Sequence, residues 1–287
     1  MANKVTLDEL REKVYEFRRL ILILCNKVNG LHIGGDLSCA EILVSLYQHT
    51  LNIDPERPDW DERDRFILSK GHGGAALYLV MAQRGYIEMD ELFETYKQHE
   101  TRFGMHPCKE LFPALDSSSG SLGHGLPIAA GIALAAKMDG KKHRTYCMIG
   151  DGEMHEGSIW EAAMAAAQFK LGNLVAIVDV NRMCLDGFTE DVINVEPVAA
   201  KWRDFNWNVI EIDGNDLEQV IDTFENLPDV DSDKPTMIVA HTVKGKGVSF
   251  LTNSAPAHHI AIDDAQLEAA LAEVDAAYES SKGGKNA

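Results

Sequence analysis

Apolar side chains recur at Leu7, Leu10, Val14, Phe17, Leu20, Ile21, Leu24 and Val28, the spacing of one helical face. The run opens on Thr6-Leu-Asp-Glu9, a capping box, and stops at Gly30, so a long amphipathic helix is predicted. Ser38-Cys-Ala-Glu41 reads as a second capping box, opening a helix to about His49. Arg65 to Leu68 predicts a short buried strand, and Gly73 to Gln83 a helix closed by Gly85. From Phe103 to Ser121 no period survives; a stretch of that length with Pro107, Pro113 and Ser117-Ser-Ser-Gly120 predicts an ordered functional loop.

Beyond the loop the rhythm changes. Helices are predicted at Leu126 to Met138, Ser158 to Phe169, near Val195 to Phe205 and at Leu217 to Asn226, alternating with strands at Thr145 to Ile149, Leu174 to Val180, Asn208 to Ile212 and Thr236 to His241. Continuously apolar strands alternating with helices mean a parallel sheet buried on both sides. The predicted fold is α/β, a doubly wound, mostly parallel sheet with helices on both faces. One domain is expected over residues 1–280, with 281–287 as a flexible tail and the acidic stretch from Asp263 to Glu279 as a solvated helix face.

Composition narrows the partners. The 287 residues carry 27 Lys+Arg against 45 Asp+Glu, a formal charge of −18, and a field of that sign repels nucleic acid and anionic lipid. The apolar run Leu20 to Cys25 is too short to span a bilayer, and the charged N-terminal residues lack an apolar signal core, so a cytoplasmic protein is expected. The five cysteines, Cys25, Cys39, Cys108, Cys147 and Cys184, form no Cys-x-x-Cys pair and read as reduced small hydrophobes.

In an open parallel sheet, ligands bind outside the carboxyl ends of the strands. One strand ends in Gly150-Asp151-Gly152-Glu153 and the next in Asp179-Val-Asn181-Arg-Met183, which sets Asp151 and Asn181, 30 positions apart, at one edge. A carboxylate, an amide oxygen and the Met183 carbonyl form an all-oxygen set for Mg²⁺ or Ca²⁺. Three ligands leave positions for a diphosphate and water, and Gly150 and Gly152 let the backbone approach phosphate. Gly-Asp-Gly alone is also an ordinary strand-to-helix turn; Asn181 at the end of the following strand tips the reading toward a site. No Gly-x-x-x-x-Gly-Lys-Ser/Thr or Gly-x-Gly-x-x-Gly opens a helix after a strand, and no Cys/His spacing supports zinc. Lys244-Gly-Lys246-Gly reads equally as a phosphate contact or a solvated turn.

The Gly-Asp-Gly to Asn pair resembles the thiamine diphosphate motif, and the chain resembles the N-terminal, diphosphate-binding part of the transketolase family. The resemblance runs through Gly30-Leu-His32-Ile-Gly-Gly35, Asp64-Arg-Phe-Ile-Leu-Ser-Lys-Gly-His72-Gly, Gly104-Met-His106-Pro107, Ser119-Gly-Ser-Leu-Gly-His-Gly125, Gly150-Asp-Gly-Glu-Met-His-Glu156-Gly, Val178-Asp-Val-Asn181 and His258-His259. It implies thiamine diphosphate as cofactor, with Asp151, Asn181 and the Met183 carbonyl as metal ligands. Gly120 and Leu122 would lie along the aminopyrimidine. His72, Gly150, Asp151, Gly152, Glu153, Asn181 and His258 would bind the cofactor. His32, His72, His106 and His258 would form the active-site histidine group, and Glu156 a carboxylate network between two sites of a dimer. Ala-Pro-Ala-His258-His259-Ile departs from the family's usual Trp-His-Gly, so either histidine fits the role.

Thiamine diphosphate enzymes use a second, pyrimidine-binding domain, which these residues do not carry. The expectation is an N-terminal subunit of a split transketolase, moving a two-carbon ketol unit from a ketose to an aldose, or between their phosphates. A separate chain would supply the pyrimidine domain, in an α2β2 assembly. The competing readings are the α-subunit of a two-subunit 2-oxo acid dehydrogenase and a non-catalytic cofactor-binding subunit. The histidines in Leu-Ser-Lys-Gly-His72-Gly and Gly-Met-His106-Pro favour the sugar enzyme. Which ketose is used does not follow from these residues.

Overall fold

The fold was analysed on a computed structural model, which describes residues 5–283. The first half is helical: α1 (Leu7–Lys27), α2 (Ile33–Ser38) and α3 (Ala40–Ser45), then β1 (Arg65–Leu68), α4 (Gly74–Arg84) and α5 (Met89–Thr95). The second half alternates: α6 (Gly125–Met138), β2 (Thr145–Gly150), α7 (Gly157–Gln168), β3 (Leu174–Val180), α8 (Thr189–Val192) and α9 (Val198–Asp204). It closes with β4 (Asn208–Asp213), α10 (Leu217–Glu225), β5 (Thr236–His241) and α11 (Asp264–Gly283). The five strands run in the order β1-β2-β3-β5-β4, each pair parallel.

Successive side chains of a strand point to opposite faces, and here both faces are covered. Phe66, Leu68, Tyr146, Met148, Val175, Ile177, Ile238 and Ala240 pack into one core with α1, α3, α4 and α10. Ile67, Cys147, Ile149, Ala176, Val178, Met237 and Val239 pack into a second with α6, α7 and α9. This is the expected doubly wound sheet.

Helix α1 starts at the predicted box: the Glu9 amide donates to Thr6 Oγ1 at 3.3 Å and the Thr6 amide to Glu9 Oε2 at 2.7 Å. Its buried Arg18 donates to Glu41 at 2.6 Å and to the Leu37 and Lys246 carbonyls, tying α1 to α2, α3 and the turn after β5. The acidic C-terminal stretch is a helix, α11, that turns its charges outward and lays Ala270 and Val274 into the core beside α1. Tyr15 stacks on Tyr278 with ring centroids 4.0 Å apart.

Five expectations need correction. Ser38 caps no helix; it ends α2, where its hydroxyl donates to the Gly35 carbonyl and to Asp179, so a buried partner captures the side chain a capping box would have used. The single helix expected from Ser38 to His49 is α3 followed by a wide π turn over Leu46–Thr50, with α2 before it unpredicted. Met89–Thr95 is an unpredicted helix with only Leu92 buried, too little apolar surface for a legible period. The helix expected near Val195 begins at Val198, behind Pro197, with the short α8 before it. Residues 281–283, expected in the tail, continue α11; residues 284–287 lie outside the described residues.

The stretch from Phe103 to Ser121 contains no regular element but is anchored. The Asp116 carboxylate receives Arg63 at 2.6 Å and the Phe66 amide of β1 at 2.8 Å, pinning the loop to the sheet edge.

Candidate functional site

Because the strands are parallel, the segments that follow β1, β2, β3 and β5 leave the sheet at the same edge. They deliver Ser69, Lys70 and His72; Gly150, Asp151 and Glu153; Asn181 and Met183; and Thr242 and Lys244. Register places Gly150 opposite Asp179 and Val180 opposite His241, so the ends are level.

Asp151 is 2% exposed. Its Oδ1 accepts from the Gly152 amide at 2.8 Å and its Oδ2 from the Arg182 amide at 2.5 Å, which orients the carboxylate. Burial and the neighbouring Asp179 push it up to about 7, the behaviour of a carboxyl short of a cation. Asn181 Oδ1 accepts from the Met183 amide at 3.1 Å, and the Met183 carbonyl meets the buried Lys244 ammonium at 3.5 Å. These donors fit a hard divalent cation: three oxygen types and a buried carboxylate, with the Lys244 ammonium at their edge. A Cβ at Gly152 would lie 2.9 Å from Cys184 Cβ, so only glycine fits beside the loop that carries Met183. Among the described residues, no group of three or more His, Cys, Asp or Glu side chains is set to hold a metal.

Glu153 is buried and fully used within the chain. It accepts from Ser69 Oγ at 2.5 Å and from the Gly123 and Gly150 amides at 2.8 and 3.0 Å, bracing the Ser121–Gly123 turn against the glycine loop.

The histidines assemble above this edge. His32, at the N-cap of α2, has its ring centroid 5.3 Å from that of His72, 6.4 Å from His106, 5.4 Å from His258 and 4.9 Å from His259. His72 and His258 are 5.3 Å apart. Burial first, then neighbouring cations and imidazoles, lower His32 to about 3 and His258 to about 4, and His72 well below its ordinary value. All three are neutral at pH 7, each ring offering one donor and one acceptor. His106 stands exposed on the long loop, its ring 3.4 Å from where a Gly120 Cβ would sit, while Gly71 touches Gly120 from the other side. Gly120, at φ 146°, is thereby wedged between two of the histidine segments. The Leu122 carbonyl lies 3.1 Å from His124 Nδ1. Glu156 is exposed at the N-cap of α7, its Cβ facing Gly123. His258 approaches Lys244 Nζ at 3.2 Å through Nδ1, whereas His259 is exposed and edges onto His32, so both fall in the group.

Several site residues escaped the sequence reading. Lys70 and Asp179 form a fully buried ion pair at 2.6 Å. Burial raises Asp179, but the Lys70 ammonium and the hydrogen bonds around it outweigh that and hold the carboxyl below its usual range. Lys244, ambiguous in sequence, is 1% exposed, and burial with Lys70 nearby lowers its amine to about 8. Asp36 is fully buried with neither carboxylate oxygen in a well-formed hydrogen bond, facing Gly73 at the start of α4; burial raises it to about 7. The available signal was an acid inside an apolar strand and a lysine directly after one, which are costly unless paired.

The family model for "Transketolase, thiamine diphosphate binding domain" matches residues 10–279. An apulose-4-phosphate transketolase subunit of Actinobacillus succinogenes is 44% identical over 268 residues, 93% of this chain and 96% of that one. The 6-deoxy-6-sulfo-D-fructose transketolase subunit SqwG of a Clostridium species is 40% identical, over 93% and 96% of the two chains. The solved transketolase of Campylobacter jejuni superposes with a TM-score of 0.87 at 28% identity, over 94% of this chain but 43% of its own, so the chain spans less than half of that enzyme. On sequence, fold and match along nearly its whole length, the chain belongs to the transketolase family and is built on that family's thiamine diphosphate binding domain.

Proposed function

We propose that the chain is the diphosphate-holding subunit of a two-chain transketolase, transferring a two-carbon ketol unit from an anionic ketose, such as a ketose phosphate, to an aldose. A second chain would supply the pyrimidine-binding domain, in an α2β2 assembly, with Mg²⁺ or Ca²⁺ as the metal. The observation that carries the reading is the convergence, on one sheet edge, of an oxygen set around the buried Asp151 carboxylate with a group of imidazoles. The relatives of similar length, which are themselves named as subunits, support a partner chain. The apulose-4-phosphate and sulfofructose in their names support a donor with a terminal anionic group.

Asp151, Asn181 and the Met183 carbonyl would hold the cation, and the glycines at 150 and 152 would admit the diphosphate. Thiamine diphosphate, when bound, supplies the carbon nucleophile for cleaving the bond beside a ketose carbonyl. The chain's part is to position the sugar and move its protons. Neutral His32 and His72 each accept a proton from one hydroxyl while donating to another, the task a charged imidazole cannot perform, and His258, whose Nδ1 faces Lys244, offers its Nε2. His106, at the solvent-open side of the group, would meet the incoming ketose. Ser69, Lys70 and Glu153 hold these loops without reaching the sugar. An α-subunit of a 2-oxo acid dehydrogenase has no sugar hydroxyls to serve, so the imidazole group weighs against it. A cytoplasmic setting fits the five free thiols and a fold in which no described helix is long and apolar enough to cross a membrane.

The test pairs binding with turnover. Asp151→Ala should abolish measurable calorimetric binding of thiamine diphosphate with Mg²⁺ to the assembled enzyme while leaving circular dichroism unchanged. Unaltered binding would remove the metal assignment, and lipoamide acylation in place of ketol transfer by the reconstituted pair would remove the transketolase reading.

A further inference from the structure

Strand β3 is buried at every position, and Asp179 is the acid within it. Alternate residues of extended chain share a side, so Asp179 lies beside Asn181. Four donors from four segments close on the Asp179 carboxylate. They are Lys70 Nζ at 2.6 Å, Ser38 Oγ at 2.7 Å, Thr242 Oγ1, and Asn181 Nδ2 at 3.0 Å.

An amide side chain has two ends, one donating and one accepting, and nothing in its shape decides which faces a cation. An ionised carboxylate only accepts. Against Asp179, Asn181 has to present its NH2, and its Oδ1 is left on the Met183 side, where the Met183 amide donates to it at 3.1 Å. We propose that Asp179, whose carboxylate accepts from Lys70, Ser38 and Thr242, is a positioning residue that fixes the Asn181 amide with its oxygen, and not its NH2, toward the cation. This rests on reading Asp151, Asn181 and Met183 as the cation's ligands. The same carboxylate joins α2, the segment after β1 and the segment after β5, so the level of all three loops is set from one atom pair.

The experiment titrates Mn²⁺ into the full chain, assembled with its partner where assembly is required for cofactor binding, in the presence of thiamine diphosphate. Free Mn²⁺ is read by electron paramagnetic resonance, without recourse to activity. Asp179→Asn gives position 179 an NH2 of its own, lets Asn181 turn over, and should weaken Mn²⁺ binding about 10–100-fold, the range for an outer partner of a metal ligand. Asn181→Asp alone sets two carboxylates face to face and should also weaken it. The exchange Asp179→Asn/Asn181→Asp keeps the net charge and restores a donor–acceptor pair with its polarity reversed, so it should recover most of the loss, a coupling that additive damage to the fold does not produce. Parent-like affinity in folded Asp179→Asn, or an exchange variant no tighter than the singles, overturns the proposal. If Asp179→Asn leaves Lys70 unpaired and fails to fold, Asp179→Asn/Lys70→Met, which removes the stranded charge as well, takes its place, and weakened Mn²⁺ binding there supports the proposal while parent-like affinity overturns it. Asp151→Ala is the control for the ligand reading itself. Normal Mn²⁺ binding there sinks that reading and the proposal together, whereas loss there with none in Asp179→Asn sinks the proposal alone.

Discussion

His32, His72 and His258 are imidazoles that the fold has stripped of their usual basicity, and this has a signature in stability. His32 falls from 6.5 to about 3, so between these values the unfolded chain binds a proton there and the native chain does not. His32 therefore costs stability progressively as pH drops below about 6.5. Asp36 and Asp151, raised to about 7, act with the opposite sign, since the native chain holds their protons at a pH where the unfolded chain has released them. The difference between parent and His32→Gln isolates the histidine. On going from about pH 7 to about pH 4, urea midpoints should shift in favour of the variant, and curves that stay parallel would mean that the ring is not held neutral. His106 has a different role. As an exposed member of the group on the long loop, it should serve the substrate and not the fold. His106→Ala is expected to lower turnover of the assembled enzyme about 10²–10⁴-fold with cofactor affinity unchanged; normal turnover would reduce His106 to a loop residue.

At the scale of elements, the site depends on how closely loops can approach helix starts. Gly125 opens α6 against Ser69, where a Cβ would collide with the serine's Cβ and Oγ. That hydroxyl accepts from the Gly125 amide at 3.0 Å and donates to Glu153, which in turn holds the Gly123 and Gly150 amides. Gly125→Ala should therefore do two things at once: destabilise by about 1–3 kcal/mol through overpacking, and weaken cofactor binding as the Glu153 brace shifts. Chemical denaturation and calorimetry on the same preparation check both. A variant with parent stability and affinity would show that the brace yields without consequence. Helix α1 contrasts with this, since its cap and its stripe are local and its Arg18–Glu41 pair only adds a clamp.

For the whole molecule, exposed apolar side chains bear on assembly. Leu185, Phe188, Val192 and Ile193 stand out of the segment after the Asn181 loop, and Met164 of α7 and Phe169 just beyond it, at 40–62% exposure. Large exposed apolar patches mark contact surfaces, and obligate interfaces commonly bury more than about 2,000 Å². On the two-chain reading, this polypeptide alone should self-associate by light scattering and show no ketol transfer. Activity should appear only on adding the partner chain. Full activity of the lone, monodisperse chain would overturn that reading.

The α/β class, the five strands, helices α6, α7 and α10 and the α1 cap were legible because each is written in a local period or a local cap. Asp151, Asn181 and Met183 were legible too, since strand ends in a parallel sheet converge by geometry alone, and the histidines through a resemblance in motif order. What the tertiary structure decided is who faces whom. Ser38 has the sequence of a helix cap but spends its hydroxyl on a carboxylate 141 residues away. Lys70 and Asp179 become a pair only when β1 and β3 are aligned through β2. Glu153 closes the Gly-Asp-Gly turn after β2 yet turns inward onto Ser69 and Gly123. The physical reason is common to all three. Periodicity reports which side of an element is apolar, whereas the partner of a buried polar group is chosen by the burial that forbids it to remain unpaired.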